Sequence, residues 1–164
     1  MSILMEKEIT IDRIILTNYE VFKALDGPIR GKIVQLLHKK QLNVEQISRR
    51  LKKFGYKKAV TTIRHHVEIL KNSGLIEIVK IEESRGAVTK YYGSSTKLLD
   101  FTLPLDFDKN YSKIMTKTLP KLRKLVNSIS KIFPKTRKVH QISYNDYIIM
   151  EIINRTMTNI LEKK

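Results

Sequence analysis

Between Ala59 and Tyr92 the spacing of apolar residues changes period at one glycine. Val60, Ile63, Val67 and Leu70 recur at steps of three, four and three, so residues 59–73 are predicted to form a helix with one buried face. Gly74 can take the left-handed backbone that ends a helix, and Leu75 seals that end with an apolar contact. Beyond it Ile76, Ile78 and Ile81 lie among Glu77, Val79, Lys80 and Glu82, which reads as a strand. Residues 83–86 are a turn, and Val88-Thr89-Lys90-Tyr91-Tyr92 has the β-branched and aromatic content of a returning strand. A helix that runs directly into a hairpin leads to the expectation of a mainly α fold with a small β-hairpin.

Two further helices precede this unit. Asp26-Gly27-Pro28 is a turn signal, and Pro28 costs nothing in a first helical turn, so a helix is predicted over 28–39 with Ile29, Ile33, Leu36 and Leu37 as its apolar stripe. Asn43 is an N-cap candidate for a second helix that turns Val44, Ile47, Ser48 and Leu51 inward and stops near Phe54-Gly55. At the amino end, Ile11, Ile14, Ile15, Asn18, Phe22 and Leu25 suit an amphipathic helix. Residues 93–108 read as a connector with one short strand at 98–103. Two helical segments then follow, over 109–132, with Pro120 kinking or restarting the helix near Thr118, and from Ser143, where Asp146 completes a capping-box pattern. The expected division is an N-terminal helix at 1–19, a central domain at 20–96 and a helical dimerisation region at 97–164.

Charge narrows the function. Lys plus Arg number 32 against 16 Asp plus Glu, a net charge of +16 on 164 residues, and the excess lies beyond residue 25. Fixed charge of one sign predicts attraction to a polyanion. Cysteine is absent, which excludes disulfides, thiolate metal sites and cysteine nucleophiles. Clustered His, Asp and Glu and phosphate-cradling glycine loops are missing too, so no catalytic residue, cofactor or metal site is expected and the chain does not read as an enzyme, an RNA-processing one included. No run of about 18 uncharged apolar residues occurs, and Glu6, Lys7 and Glu8 interrupt any signal-peptide core. A cytoplasmic, nucleoid-associated protein is expected, without a membrane partner.

The third helix carries the chemistry. Away from its apolar stripe it offers Thr61, Thr62, Arg64 and His65, preceded by Lys57 and Lys58. The amino-terminal residues of a helix lying in the major groove meet base edges there: Thr contacts a thymine methyl or a phosphate, and Arg grips guanine bidentately. Lys57 and Lys58 suit phosphates, because a flexible ammonium fixes register better than it reads sequence. His65 and His66 are adjacent and point different ways, one toward DNA and one into packing, while His38 and His140 are expected to be surface residues. Tyr91 and Tyr92 are expected as packing partners. Residues 109–138 add ten basic residues and no acid. Lys113, Lys117, Lys121, Lys124, Lys131 and Lys135 share a narrow arc opposite Ile114, Leu122, Leu125 and Ile129, which suits phosphates, an anionic membrane or simple solvation.

The segment Phe22-Lys23-Ala24-Leu25-Asp26-Gly27-Pro28-Ile29-Arg30, followed by Ile33-Val34-Gln35-Leu36-Leu37, resembles the opening helix of ArsR-type winged helix-turn-helix transcriptional regulators. The run Thr61-Thr62-Ile63-Arg64-His65-His66-Val67-Glu68-Ile69-Leu70-Lys71-Asn72-Ser73-Gly74-Leu75-Ile76 resembles their recognition helix. The resemblance covers roughly residues 20–93. It implies a dimeric repressor or activator whose third helix enters the major groove, while the wing, with Lys80, Lys90 and Arg85 at its tip, touches the backbone or minor groove. Phe54, Gly55, Tyr56, Lys57 and Lys58 lengthen the usual tight turn, and the metal-sensing cysteines of some members have no counterpart.

The resulting expectation is a sequence-specific double-stranded-DNA-binding regulator, a homodimer assembled through its flanking helices, the N-terminal one at 1–19 and the C-terminal pair. The alternative is an architectural protein that coats DNA without choosing a sequence. No residue pattern points to a particular small-molecule effector.

Overall fold

A computed structural model describes residues 1–11, 13–17, 27–135 and 138–163. In chain order its elements are β1 (Ser2–Glu6), β2 (Arg13–Thr17), α1 (Pro28–Leu37), α2 (Val44–Lys53), α3 (Val60–Asn72), β3 (Ile76–Ser84), β4 (Ala87–Ser94), β5 (Thr96–Asp100), α4 (Phe107–Ser130) and α5 (Val139–Glu162). They divide into two compact units, Met1–Phe101 with Leu161–Lys164, and Thr102–Ile160.

The first unit is a winged helix-turn-helix. Its core takes Ile33, Val34 and Leu37 from α1, Ile47 and Leu51 from α2, and Ile63, Val67 and Leu70 from α3, closed by Ile76 and Tyr92 from the hairpin. Each helix begins and ends for a local reason. Pro28 stands in the first turn of α1. Asn43 forms a capping box: its Oδ1 accepts from the Gln46 backbone N–H at 2.8 Å, and its own backbone N–H donates to Gln46 Oε1 at 3.0 Å. At the end of α3, Gly74 takes φ 74°. The Leu75 N–H then donates to the Leu70 carbonyl at 3.1 Å and the Gly74 N–H to the Lys71 carbonyl at 3.0 Å, the paired bonds of a Schellman stop. The same geometry ends α2, where Gly55 has φ 87° and the Tyr56 N–H donates to the Leu51 carbonyl at 3.0 Å. The longer linker into α3 is therefore anchored at its start, and Tyr56 packs against the core.

The hairpin turn is tighter than predicted. Ser84 pairs with Ala87, so only Arg85 and Gly86 lie between the strands, both with positive φ, 52° and 76°. The connector strand covers Thr96–Asp100 rather than 98–103.

The amino-terminal residues differ from expectation. The residues of 1–19 that the structure describes hold two strands and no helix: β1 pairs antiparallel with β3, giving the order β1-β3-β4, and β2 pairs parallel with β5. Ile9, Ile11, Ile14 and Ile15 fit either period; pairing with β5 decides for the strand at Ile14 and Ile15, while Ile9 and Ile11 lie between the two strands. Asn18, Phe22 and Leu25 lie outside the described residues. Gly93 leaves room for this arm: a Cβ there would stand 2.9 Å from Ile9 Cδ1 and from Val79 Cγ1.

In the second unit α4 is one helix of 24 residues with Pro120 inside it. Proline lacks the N–H that would bond back one turn, yet its fixed φ is helical, so the helix runs on instead of restarting. The last helix begins at Val139, four residues before the predicted Ser143. No residue of α4 is buried, and α4 and α5 touch each other at most marginally. Ile114, Leu119, Leu122 and Leu125 of α4 remain exposed, as do Tyr147, Met150 and Met157 of α5.

Candidate nucleic-acid interface

The helix α3 is held by one side and bare on the other. Ile63, Val67 and Leu70 are 0–3% exposed, whereas Thr61, Thr62, Arg64 and His65 are all exposed, as are Lys57 and Lys58 in the linker before them. Ala59 occupies the N-cap with φ −62° and ψ 150°, and no side chain caps the helix. The first-turn N–H groups thus add partial positive charge beside Lys57 and Lys58.

Arg64 leans toward α2, where its Nη2 lies 3.5 Å from Glu45 Oε1. Both side chains are more than half exposed, so the pair contributes at most about 1 kcal/mol and leaves Arg64 available to a stronger acceptor. Arg64, Glu45, Glu68, Thr89, Lys90 and Tyr92 line a cavity of ≈ 310 Å³ between the helices and β4. His65 is exposed, and His66 is half-buried with its Nδ1 accepting from Arg30 Nε at 3.3 Å. One imidazole therefore faces out and the other packs.

The wing residues separate. Arg85 is exposed at the turn, and Lys90 faces the groove beside α3. Lys80 sits on the opposite face of the hairpin, because a bulge between Ile78 and Lys80 pairs Lys80 with Tyr91 and Ile81 with Lys90. Its ammonium lies 2.6 Å from Glu82 Oε1, only 20% of its side chain is exposed, and the Tyr91 ring is 5.6 Å away. The hydrogen bond to Glu82 raises the Lys80 pKa, and the bonds from Lys80 and then Tyr91 hold the Glu82 carboxyl below its usual range. The structure thus leaves Lys57, Lys58, Thr61, Thr62, Arg64 and His65 exposed, sets Arg64 and Lys90 on one groove, keeps Arg85 at the wing tip, and ties Lys80 to Glu82 on the other face of the hairpin.

Sequence reasoning overlooked Glu45 and Glu68, the carboxylates that border the groove. Glu45 was legible as the acid in the first turn of α2, but its approach to Arg64 depends on the packing of α2 against α3. His38 also departs from a surface residue: it is half-buried, its Nδ1 is enclosed without a hydrogen-bond partner, and burial pushes its pKa down. Among the described residues no cluster of three or more metal-ligating side chains occurs, and no helix is long and apolar enough to cross a membrane.

Residues 27–77 match the family model described as "Bacterial regulatory protein, arsR family", which takes in α1, α2, α3 and the start of β3. The resemblance read from the residues, over roughly 20–93, contains this segment. No curated protein matches the chain. Among solved structures it is similar to Bacillus subtilis PadR in complex with operator DNA, at 16% identity over 82% of this chain and 96% of that one, with a TM-score of 0.37.

Proposed function

We propose that residues 27–77, with their match to the arsR family of bacterial regulatory proteins, make this chain a DNA-binding transcriptional regulator that reads a specific double-stranded sequence as a homodimer. The observation that carries this reading is the asymmetry of α3: an apolar side buried at Ile63, Val67 and Leu70, and an amino-terminal half that presents Val60, Thr61, Thr62, Arg64 and His65 to solvent. In the major groove Arg64 and Thr62 reach base edges, while Lys57 and Lys58 hold the adjoining phosphates. Lys90 and Arg85 meet the backbone or minor groove beside them. Lys80, occupied by Glu82, is the weakest of the wing contacts.

The homodimer reading rests on the second unit. Two 24-residue helices that leave Ile114, Leu122, Tyr147 and Met150 exposed, and barely touch each other, are supported by a second copy more economically than by water. A two-fold dimer reads half-sites about one helical turn apart. The protein acts in the cytoplasm, on the nucleoid, without catalysis and without a cofactor.

The test compares Arg64→Ala with Lys58→Ala on a selected target duplex and on random duplex. Arg64→Ala should cost about 1–3 kcal/mol on the target and little on random DNA; Lys58→Ala should weaken both alike. Equal losses from the two substitutions would replace this reading with an architectural protein that coats DNA.

A further inference from the structure

We propose that the lysine face of α4 is a second, sequence-independent docking surface for the phosphate backbone of duplex DNA. The inference rests on the reading above only for its choice of polyanion. At 100° per residue Lys109, Lys113, Lys117, Lys121 and Lys124 fall within an arc of about 120°, and all five are exposed. Lys131, which continues the helical backbone at φ −65° and ψ −20°, lies in the same arc. At about 1.5 Å per residue the row from Lys109 to Lys131 is about 33 Å long, close to one turn of duplex. From Lys109 to Lys121 successive ammoniums rise by about 6 Å, so a duplex lying alongside the row offers them phosphates where its two strands cross it.

A helix that only needed solvation would not be built this way. Like charges one turn apart destabilise a helix by about 0.2–0.5 kcal/mol per pair, and between Lys109 and Lys131 there is no acid to offset them. In α5, by contrast, Glu151 accepts from Arg155 Nε at 2.9 Å one turn away. The repulsion along α4 is relieved by an external anion. The anion is duplex rather than a bilayer, because insertion into a bilayer needs the apolar side of Ile114, Leu122, Leu125 and Ile129, which the homodimer reading gives to a second copy. A straight, uniformly charged rod approached from the polar side fits the row.

The experiment uses the full-length protein and a fourfold variant, Lys113→Gln with Lys117→Gln, Lys121→Gln and Lys124→Gln. The measurement is the slope of log K against log salt on random duplex. For each α4 engaged, the slope should become shallower by about 3–4, with at least tenfold weaker binding at low salt. The corresponding Lys→Arg variant should keep the wild-type slope, and Lys117→Gln alone should lower it by about one, which covers a fourfold variant that folds poorly. An unchanged slope with unchanged helicity overturns the proposal, while Arg64→Ala still losing target discrimination would leave the regulator reading intact. Conversely, a protein without a preferred sequence whose slope still depends on these lysines keeps the lysine face and sinks the regulator. Loss of binding to phosphatidylserine vesicles without loss on duplex also overturns it, in favour of a membrane surface.

Discussion

Leu42 and Tyr92 exchange both of their backbone hydrogen bonds, Leu42 N–H to the Tyr92 carbonyl at 3.1 Å and Tyr92 N–H to the Leu42 carbonyl at 2.9 Å. This bridge fastens the loop between α1 and α2 to the wing strand β4. The capped start of α2 at Asn43 is the next residue, so the bridge couples the wing to the helix that supports α3. Tyr92 is 4% exposed and packs into the same core as Val67 and Leu70.

Removing that ring should be felt throughout the first unit. Tyr92→Ala is expected to lower stability by about 3–5 kcal/mol, as for other buried aromatic truncations. The check is the midpoint of urea unfolding followed by circular dichroism, and a loss under 1 kcal/mol would mean the wing is not part of the cooperative core.

Ala59 has N-cap backbone angles and no capping group, so α3 begins with its first N–H donors unmet by a side chain. Ala59→Ser should add an acceptor for the N–H of Thr61 or Thr62 and raise stability by about 1 kcal/mol. A thermal melt of the two proteins measures this, and an unchanged or lower Tm would contradict it.

Arg85 holds φ 52° at the hairpin tip, a conformation that glycine adopts without strain. Arg85→Gly should therefore gain up to about 1 kcal/mol of stability while weakening binding to every duplex sequence. Chemical denaturation reads the first effect and filter binding on random DNA the second. Reduced stability together with undiminished binding would remove Arg85 from the interface.

The pH response follows from His38 and Glu162, which meet in the first unit. Burial, the largest influence on His38, keeps its pKa below 6.5, outweighing the opposite pull of Glu162. The folded state then resists protonation, and stability present above pH 6.5 declines as the pH falls through the lowered value. Glu162 is held below the usual carboxylate range by its hydrogen bond from Lys97, with Lys39 3.8 Å away, so its contribution is present at neutral pH and is lost on stronger acidification. The Tm should fall between pH 7 and pH 5, and His38→Gln should flatten that fall. A wild-type Tm that stays level across this range would refute the assignment.

What could be read from the chain was what its neighbours in sequence decide. Asn43, Pro28, and Gly74 with Leu75 each set a helix end within a few residues, and the period change at Gly74 announced the wing. The two amino-terminal strands were not legible, because Ser2 pairs with Glu83 and Arg13 with Thr96, partners some eighty residues away. At the candidate interface, exposure of Thr61, Thr62, Arg64 and His65 followed from the position of Ile63 and Val67 on one helix. The retreat of Lys80 did not, since a single bulge reverses which face of the hairpin it joins.

The two glycine stops have a bearing on how this molecule can vary. Gly55 and Gly74 each hang the following residue, Tyr56 or Leu75, from the carbonyl of a core leucine. Extra residues inserted before Tyr56 would tear it from its seat, whereas one added between Lys57 and Lys58 would disturb only the local bond from the Lys58 N–H to the Tyr56 carbonyl at 3.2 Å. Related chains could thus change how far the paired cations reach without altering the tilt at which α3 leaves the body.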